Sequence, residues 1–115
     1  FRSNDDHARN HAAFWDGKEL TLTPAYDICP QARTGNESTQ AMKIIGNNGY
    51  SQLKTCLMAA HHFLLCEKEA IEIFNTFQEN IRNHWDSVCD EASLTTVDKS
   101  FFWGRQFLNS FSLEY

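Results

Sequence analysis

The chain has 115 residues, 10 Lys and Arg against 15 Asp and Glu, a formal charge of −5, and 42% hydrophobic residues. That is one domain's worth of protein, long enough to bury a core, and its acidity argues against a surface built to neutralise nucleic-acid phosphates. A polyphosphate ligand suits such a chain only if divalent cations screen the protein's own carboxylates.

The first informative stretch is Ser3-Asn4-Asp5-Asp6-His7-Ala8-Arg9-Asn10, read together with Leu22-Thr23-Pro24-Ala25-Tyr26-Asp27. Phosphoryl transfer needs a carboxylate to orient the attacking hydroxyl, an amide oxygen five residues on for magnesium, and a second carboxylate for the metal on the nucleotide phosphates. Asp5, Asn10 and Asp27 occur in that order. Asp6 stands four residues from Asn10 rather than five, so Asp5 is the preferred catalytic carboxylate. The bland alternative for the acidic cluster is a solvated loop or a helix cap; Asp27 weighs against it. Arg9 suits either phosphate or the surface.

His11 to Trp15 and Glu19 to Leu22 flank Asp16-Gly17-Lys18, and Asp-Gly is a strong turn signal. A β-hairpin is expected, running out and back so that Asp27 returns toward Asn10. Pro24 keeps Thr23 extended. Cys29 to Thr39, with Pro30 and Gly35, reads as an irregular surface segment. Ala41 to Ile45 is a candidate short strand, and Gly46-Asn47-Asn48-Gly49 an ordinary turn rather than a phosphate cradle.

The remainder is helical. Ser51 is a candidate cap for a helix to about Leu65, with Leu53, Cys56, Leu57, Ala60 and Leu64 as its core stripe. His61 and His62 are neighbours, point about 100° apart on a helix, and read as structural. A second helix runs from about Glu67 to about Cys89, burying Ala70, Phe74, Phe77, Ile81, Trp85 and Val88, with Glu79 and Arg82 spaced for a surface pair. Thr95-Thr96-Val97-Asp98 opens a third helix, on which Val97, Phe101, Gly104, Leu108 and Phe111 share one side. Phe102, Trp103 and Phe107 widen that surface for core packing or docking.

Cys29, Cys56, Cys66 and Cys89 form no C-x-x-C pair and read as reduced, mostly buried thiols. The apolar run Leu57 to Leu65 is too short to cross a bilayer. No signal peptide is visible, which points to the cytoplasm. Phe1 in place of Met, only four positions before the candidate catalytic carboxylate, reads as the start of a fragment.

Asp5-x-His7-x-x-Asn10 followed by Thr23-Pro24-x-Tyr26-Asp27 resembles the HipA family of bacterial serine/threonine kinases, and Trp103 to Asn109 also looks like the end of such a chain. The resemblance implies an α+β, mainly α fold: the helical C-terminal lobe of a protein-kinase-like domain, with a β-hairpin carrying the metal-binding loop. Residues 1–28 would hold the catalytic loop, hairpin and metal-binding segment, 29–50 an activation-segment-like region, and 51–115 a helical subdomain. Asp5 would be the catalytic carboxylate, His7 a supporting hydrogen-bonding residue, and Asn10 and Asp27 the ligands of magnesium on ATP. The implied activity is transfer of the ATP γ-phosphate to a protein hydroxyl, as the toxin of a toxin-antitoxin module. The implied partners are an N-terminal kinase lobe that completes the ATP pocket, a HipB-like helix-turn-helix antitoxin and a protein substrate. Neither direct nucleic-acid contact nor a membrane is expected, and the fragment alone should be inactive. A small-molecule or lipid phosphotransferase and a non-catalytic helical interaction module are the competing readings.

Overall fold

The structure, a computed structural model, describes residues 5–28, 35 and 37–115. It is α+β and largely helical. A 3₁₀ turn at Ala8–Asn10 leads into strands β1 (Ala13–Trp15) and β2 (Leu20–Leu22), then helices α1 (Leu53–Ala59), α2 (Glu67–Glu91), α3 (Thr96–Phe102) and α4 (Ser110–Leu113). Cys29 and most of the segment expected to be irregular lie outside the described residues.

The hairpin forms where Asp-Gly requires it. β1 and β2 pair antiparallel with Ala13 opposite Leu22, Phe14 opposite Thr21 and Trp15 opposite Leu20. Gly17 takes φ +96°, which a side chain would resist. Asp16 Oδ1 accepts from the backbone N–H groups of Glu19 and Lys18, at 2.9 and 2.8 Å, and these bonds hold its carboxyl below the usual range. Thr23 N–H donates to Ala12 O at 3.0 Å, carrying the ladder one step beyond β2. All six strand residues are exposed.

Between hairpin and helices, the expected strand over Ala41 to Ile45 is reduced to isolated bridges, Thr39 with Tyr50 and Ile45 with Asn48. Gly46, at φ +52°, makes the turn between the latter pair.

α1 starts one residue later than expected. Its N-cap is Gln52, while Ser51 Oγ accepts from Gln40 Nε2 at 2.9 Å. The helix tightens into a 3₁₀ turn at Ala60–Phe63 and stops at Leu64, which adopts a left-handed conformation at φ +60°. Leu64 is therefore not part of the core stripe. It is 95% exposed, whereas Leu53, Cys56 and Leu57 pack on a small core of Ala60, Ala70 and Phe74. Burial pushes the Cys56 thiol up.

α2 spans 25 residues, about 37 Å at 1.5 Å per residue, in a molecule measuring 49 × 30 × 26 Å. Cys66 N–H donates to Glu69 Oε2 at 2.8 Å, and this bond depresses the Glu69 carboxyl. Only Ala70, Phe74 and Cys89 are buried along the helix. The expected buried face is covered at its two ends, by α1 near Ala70 and Phe74 and by the Trp103–Phe107 segment at Trp85, and is open elsewhere: Phe77 is 62% and Val88 54% exposed. Arg82 bonds Gln78 Oε1 at 3.1 Å rather than pairing with Glu79.

Thr95 caps α3, its Oγ1 accepting from Asp98 N–H at 3.1 Å. The long third helix is not formed. It breaks at Trp103, which is extended, followed by Gly104 at φ +74°. Asn109 then opens α4 by accepting from Phe111 N–H at 2.9 Å. A glycine that tolerates positive φ and a strong new cap outcompete helical continuation. Trp103 and Phe107 both stack on Trp85, with centroids at 5.1 and 4.7 Å. The last two residues fasten the helical part together. Glu114 accepts from Lys54 N–H at 2.7 Å and from Gln52 Nε2 at 2.9 Å, and Tyr115 donates to Asn75 Oδ1 at 2.8 Å.

Candidate active site

The site is made where the 3₁₀ turn meets the segment leaving β2. Asn10 N–H donates to His7 O at 2.9 Å, and His7 N–H returns a bond to Asn10 Oδ1 at 3.0 Å. The turn thereby locks the Asn10 side chain to the backbone that carries it. Because the hairpin doubles back, Tyr26 and Asp27 arrive beside this turn. Tyr26 Oη donates to Arg9 O at 2.7 Å, and Asn10 Nδ2 donates to Asp27 Oδ2 at 2.8 Å.

These bonds fix the orientation of the Asn10 amide. Rotating it by half a turn would set its oxygen against a carboxylate and its NH₂ against a backbone N–H, losing both bonds. Asp27 reaches Asn10 from φ +55°, a region that L residues avoid but aspartate tolerates better than most.

Asp5 is exposed, at the start of the same loop. His7 is half-buried, and its Nδ1 is buried without a hydrogen-bond partner. The structure thus joins His7, Asn10 and Asp27 through hydrogen bonds and leaves the Asp5 side chain on the surface. Asp6 turns to a different task. Its carboxylate meets His11 Nε2 at 2.6 Å, its carbonyl accepts from Met42 N–H at 2.9 Å, and its own N–H points at Gln40 Oε1 at 3.4 Å. Sequence reasoning assigned His11 only to the hairpin flank. The signal available was the spacing, since His11 follows Asp6 by the same five residues that separate Asn10 from Asp5.

A cavity of about 580 Å³ opens beside the pair, walled by Asn10, Asp27, Tyr26, Pro24, Gln40 and Leu53 among others. Asn10 Oδ1 and the Asp27 carboxylate are hard oxygen donors of the kind magnesium prefers. Two donors do not make a free-standing cage, and among the described residues no group of three His, Cys, Asp or Glu side chains could hold a metal ion. Asn10 Oδ1 is turned to His7 N–H while its NH₂ faces Asp27. A magnesium ion held by both side chains would therefore need the Asn10 amide to turn over, and would complete its shell with water and phosphate oxygens. Among the described residues, no helix is long and apolar enough to cross a membrane.

Residues 1–85 match the family model described as the HipA-like C-terminal domain. No match was found among curated proteins or among solved structures. The matched span contains the Asp5–Asn10 loop, the hairpin, Asp27, α1 and most of α2, and the chain belongs to the HipA-like C-terminal domain family.

Proposed function

We propose that the chain is the catalytic-loop part of an ATP-dependent serine/threonine protein kinase with a protein-kinase-like fold. The observation that carries this reading is the 2.8 Å contact between the Asn10 amide and the Asp27 carboxylate, which come from positions 17 residues apart. The contact brings together the carboxamide and the carboxylate that the nucleotide-bound metal requires as residue types, with Nδ2 rather than Oδ1 of Asn10 turned to Asp27.

In this reading Asn10 and Asp27 hold magnesium, which when bound neutralises charge on the ATP phosphates. Asp5 orients a serine or threonine hydroxyl. As the bond between the hydroxyl oxygen and the γ-phosphorus forms and the bond to the ADP oxygen breaks, the hydroxyl proton passes to the Asp5 carboxylate. His7 supports the loop through its bond to Asn10. Positioning and charge neutralisation lower the barrier, with no covalent protein intermediate. An N-terminal lobe supplies the rest of the ATP pocket. The family context favours the toxin of a toxin-antitoxin module, restrained by a HipB-like helix-turn-helix antitoxin and acting in the cytoplasm.

The test is Asp5→Asn in the polypeptide that includes the N-terminal lobe, followed with γ-labelled ATP. Transfer to protein hydroxyls should fall by about 10²-fold or more. Undiminished transfer would overturn the assignment of Asp5. Label appearing only on sugars or inositol lipids would move the substrate from protein to small molecule, and no transfer in either protein would favour a binding module.

A further inference from the structure

Asp6 and His11 bracket the turn that presents Asn10. Their side chains meet at 2.6 Å and close a loop over the four residues His7 to Asn10. An ionised carboxylate can only accept, so the His11 Nε2 atom carries the proton. Asp6 is also the residue at which the loop is tied to the following segment: its carbonyl is held by Met42 N–H at 2.9 Å, and its N–H faces Gln40 Oε1. Gln40 in turn donates to Ser51 Oγ at 2.9 Å, just ahead of α1. The side-chain pair therefore connects the far end of the turn, at His11, to a loop residue whose backbone is anchored to the segment ahead of α1.

We infer that Asp6 and His11 form a positioning clamp: their side-chain pair holds the 3₁₀ turn closed so that the Asn10 amide faces Asp27. The inference deepens the phosphotransfer reading and rests on it for its catalytic consequence. Asp6, adjacent to the proposed catalytic carboxylate, is a positioning residue and takes no proton from substrate. Both partners are substantially exposed, at 53% for His11 and 37% for Asp6. An exposed pair of this kind adds little to global stability, yet displacing a positioned group by about 1 Å can cost about 10²-fold in rate. The clamp should show in local order and in turnover rather than in the melting temperature.

The experiment compares wild type, Asp6→Ala, His11→Ala and His11→Gln in the polypeptide that includes the N-terminal lobe. Two readouts are taken: amide hydrogen exchange over residues 8–11, and turnover of γ-labelled ATP against magnesium and ATP concentration. Asp6→Ala and His11→Ala should each speed exchange of the Asn10 amide and lower kcat by about tenfold or more with the melting temperature little changed. The double alanine variant should be no worse than either single one. His11→Gln, whose amide can still donate to Asp6, should recover part of both losses. Unchanged exchange in both alanine variants, or equal damage from His11→Gln and His11→Ala, would overturn the clamp. If wild type turns over no ATP, the phosphotransfer reading fails while the exchange measurement still decides whether the clamp exists.

Discussion

Asn10 Nδ2 lies 2.8 Å from Asp27 Oδ2, and the Asn10 amide is held from its other side by His7 N–H. A carboxamide bonded at both ends has one orientation and little freedom. Asp27→Asn should therefore retain the contact in weakened form while removing the negative charge, and Asp27→Ala should remove both. On the proposed phosphotransfer reading, ATP turnover should fall by about 10²-fold or more in each, with the loss in Asp27→Asn eased by raised magnesium. A magnesium titration of turnover measures this.

Thr55 is fully buried, and its Oγ1 has no hydrogen-bond partner. A buried hydroxyl without a partner costs free energy, and valine has nearly the same shape without the polar atom. Thr55→Val should stabilise the domain by about 1 kcal/mol, read from the midpoint of urea unfolding. A loss of stability would mean that the hydroxyl is satisfied by an internal water.

Leu64 ends the 3₁₀ turn after α1 at φ +60° with its side chain in solvent. Glycine adopts this conformation without steric cost, and no buried area is lost in replacing an exposed leucine. Leu64→Gly should stabilise by about 0.5 kcal/mol after the greater freedom of glycine in the unfolded chain is counted. Thr95→Ala, which removes the cap of α3, should cost about 1 kcal/mol. Thermal unfolding of the two variants should move in opposite directions.

Glu69 accepts from Cys66 N–H at the start of α2, which lowers its pKa from the ordinary 4.5. A carboxyl with a depressed folded-state pKa contributes stability above its unfolded value and loses it as pH falls through the folded one. The contribution is thus present at neutral pH and disappears below the ordinary glutamate range. Glu69→Gln keeps an acceptor but cannot titrate. Its melting temperature should fall less steeply with acidification than that of wild type, compared from pH 7 downward.

The hairpin and the return of Asp27 were legible because Asp16-Gly17 and Pro24 impose local backbone constraints that tertiary context does not override. The start of α2 and the Thr95 cap were legible for the same reason. Periodicity alone misled where it needed a partner to be useful. Phe77 and Val88 lie on the apolar stripe of α2, but α1 covers its first turns and the Trp103–Phe107 segment covers Trp85, leaving both exposed. Leu108 and Phe111 continue a helical pattern that Gly104 and Asn109 interrupt, and the interruption is visible only when those residues are weighed as stop and start signals. Within the site, spacing named Asn10 and Asp27, while the pairing of Asp6 with His11 depends on how tightly the intervening turn winds.

The hairpin that returns Asp27 to Asn10 is also a two-stranded ribbon, and among the described residues no third strand pairs with either edge. Phe14, Trp15, Leu20 and Leu22 stand outward along it, each more than half exposed. Unpaired strand edges beside bare aromatic and aliphatic groups template the addition of further strands. The purified domain should consequently be prone to self-association that grows with concentration, starting at the hairpin tip, away from the Asn10–Asp27 contact. A charged residue at Leu20, which does not line the cavity, would give a better-behaved sample.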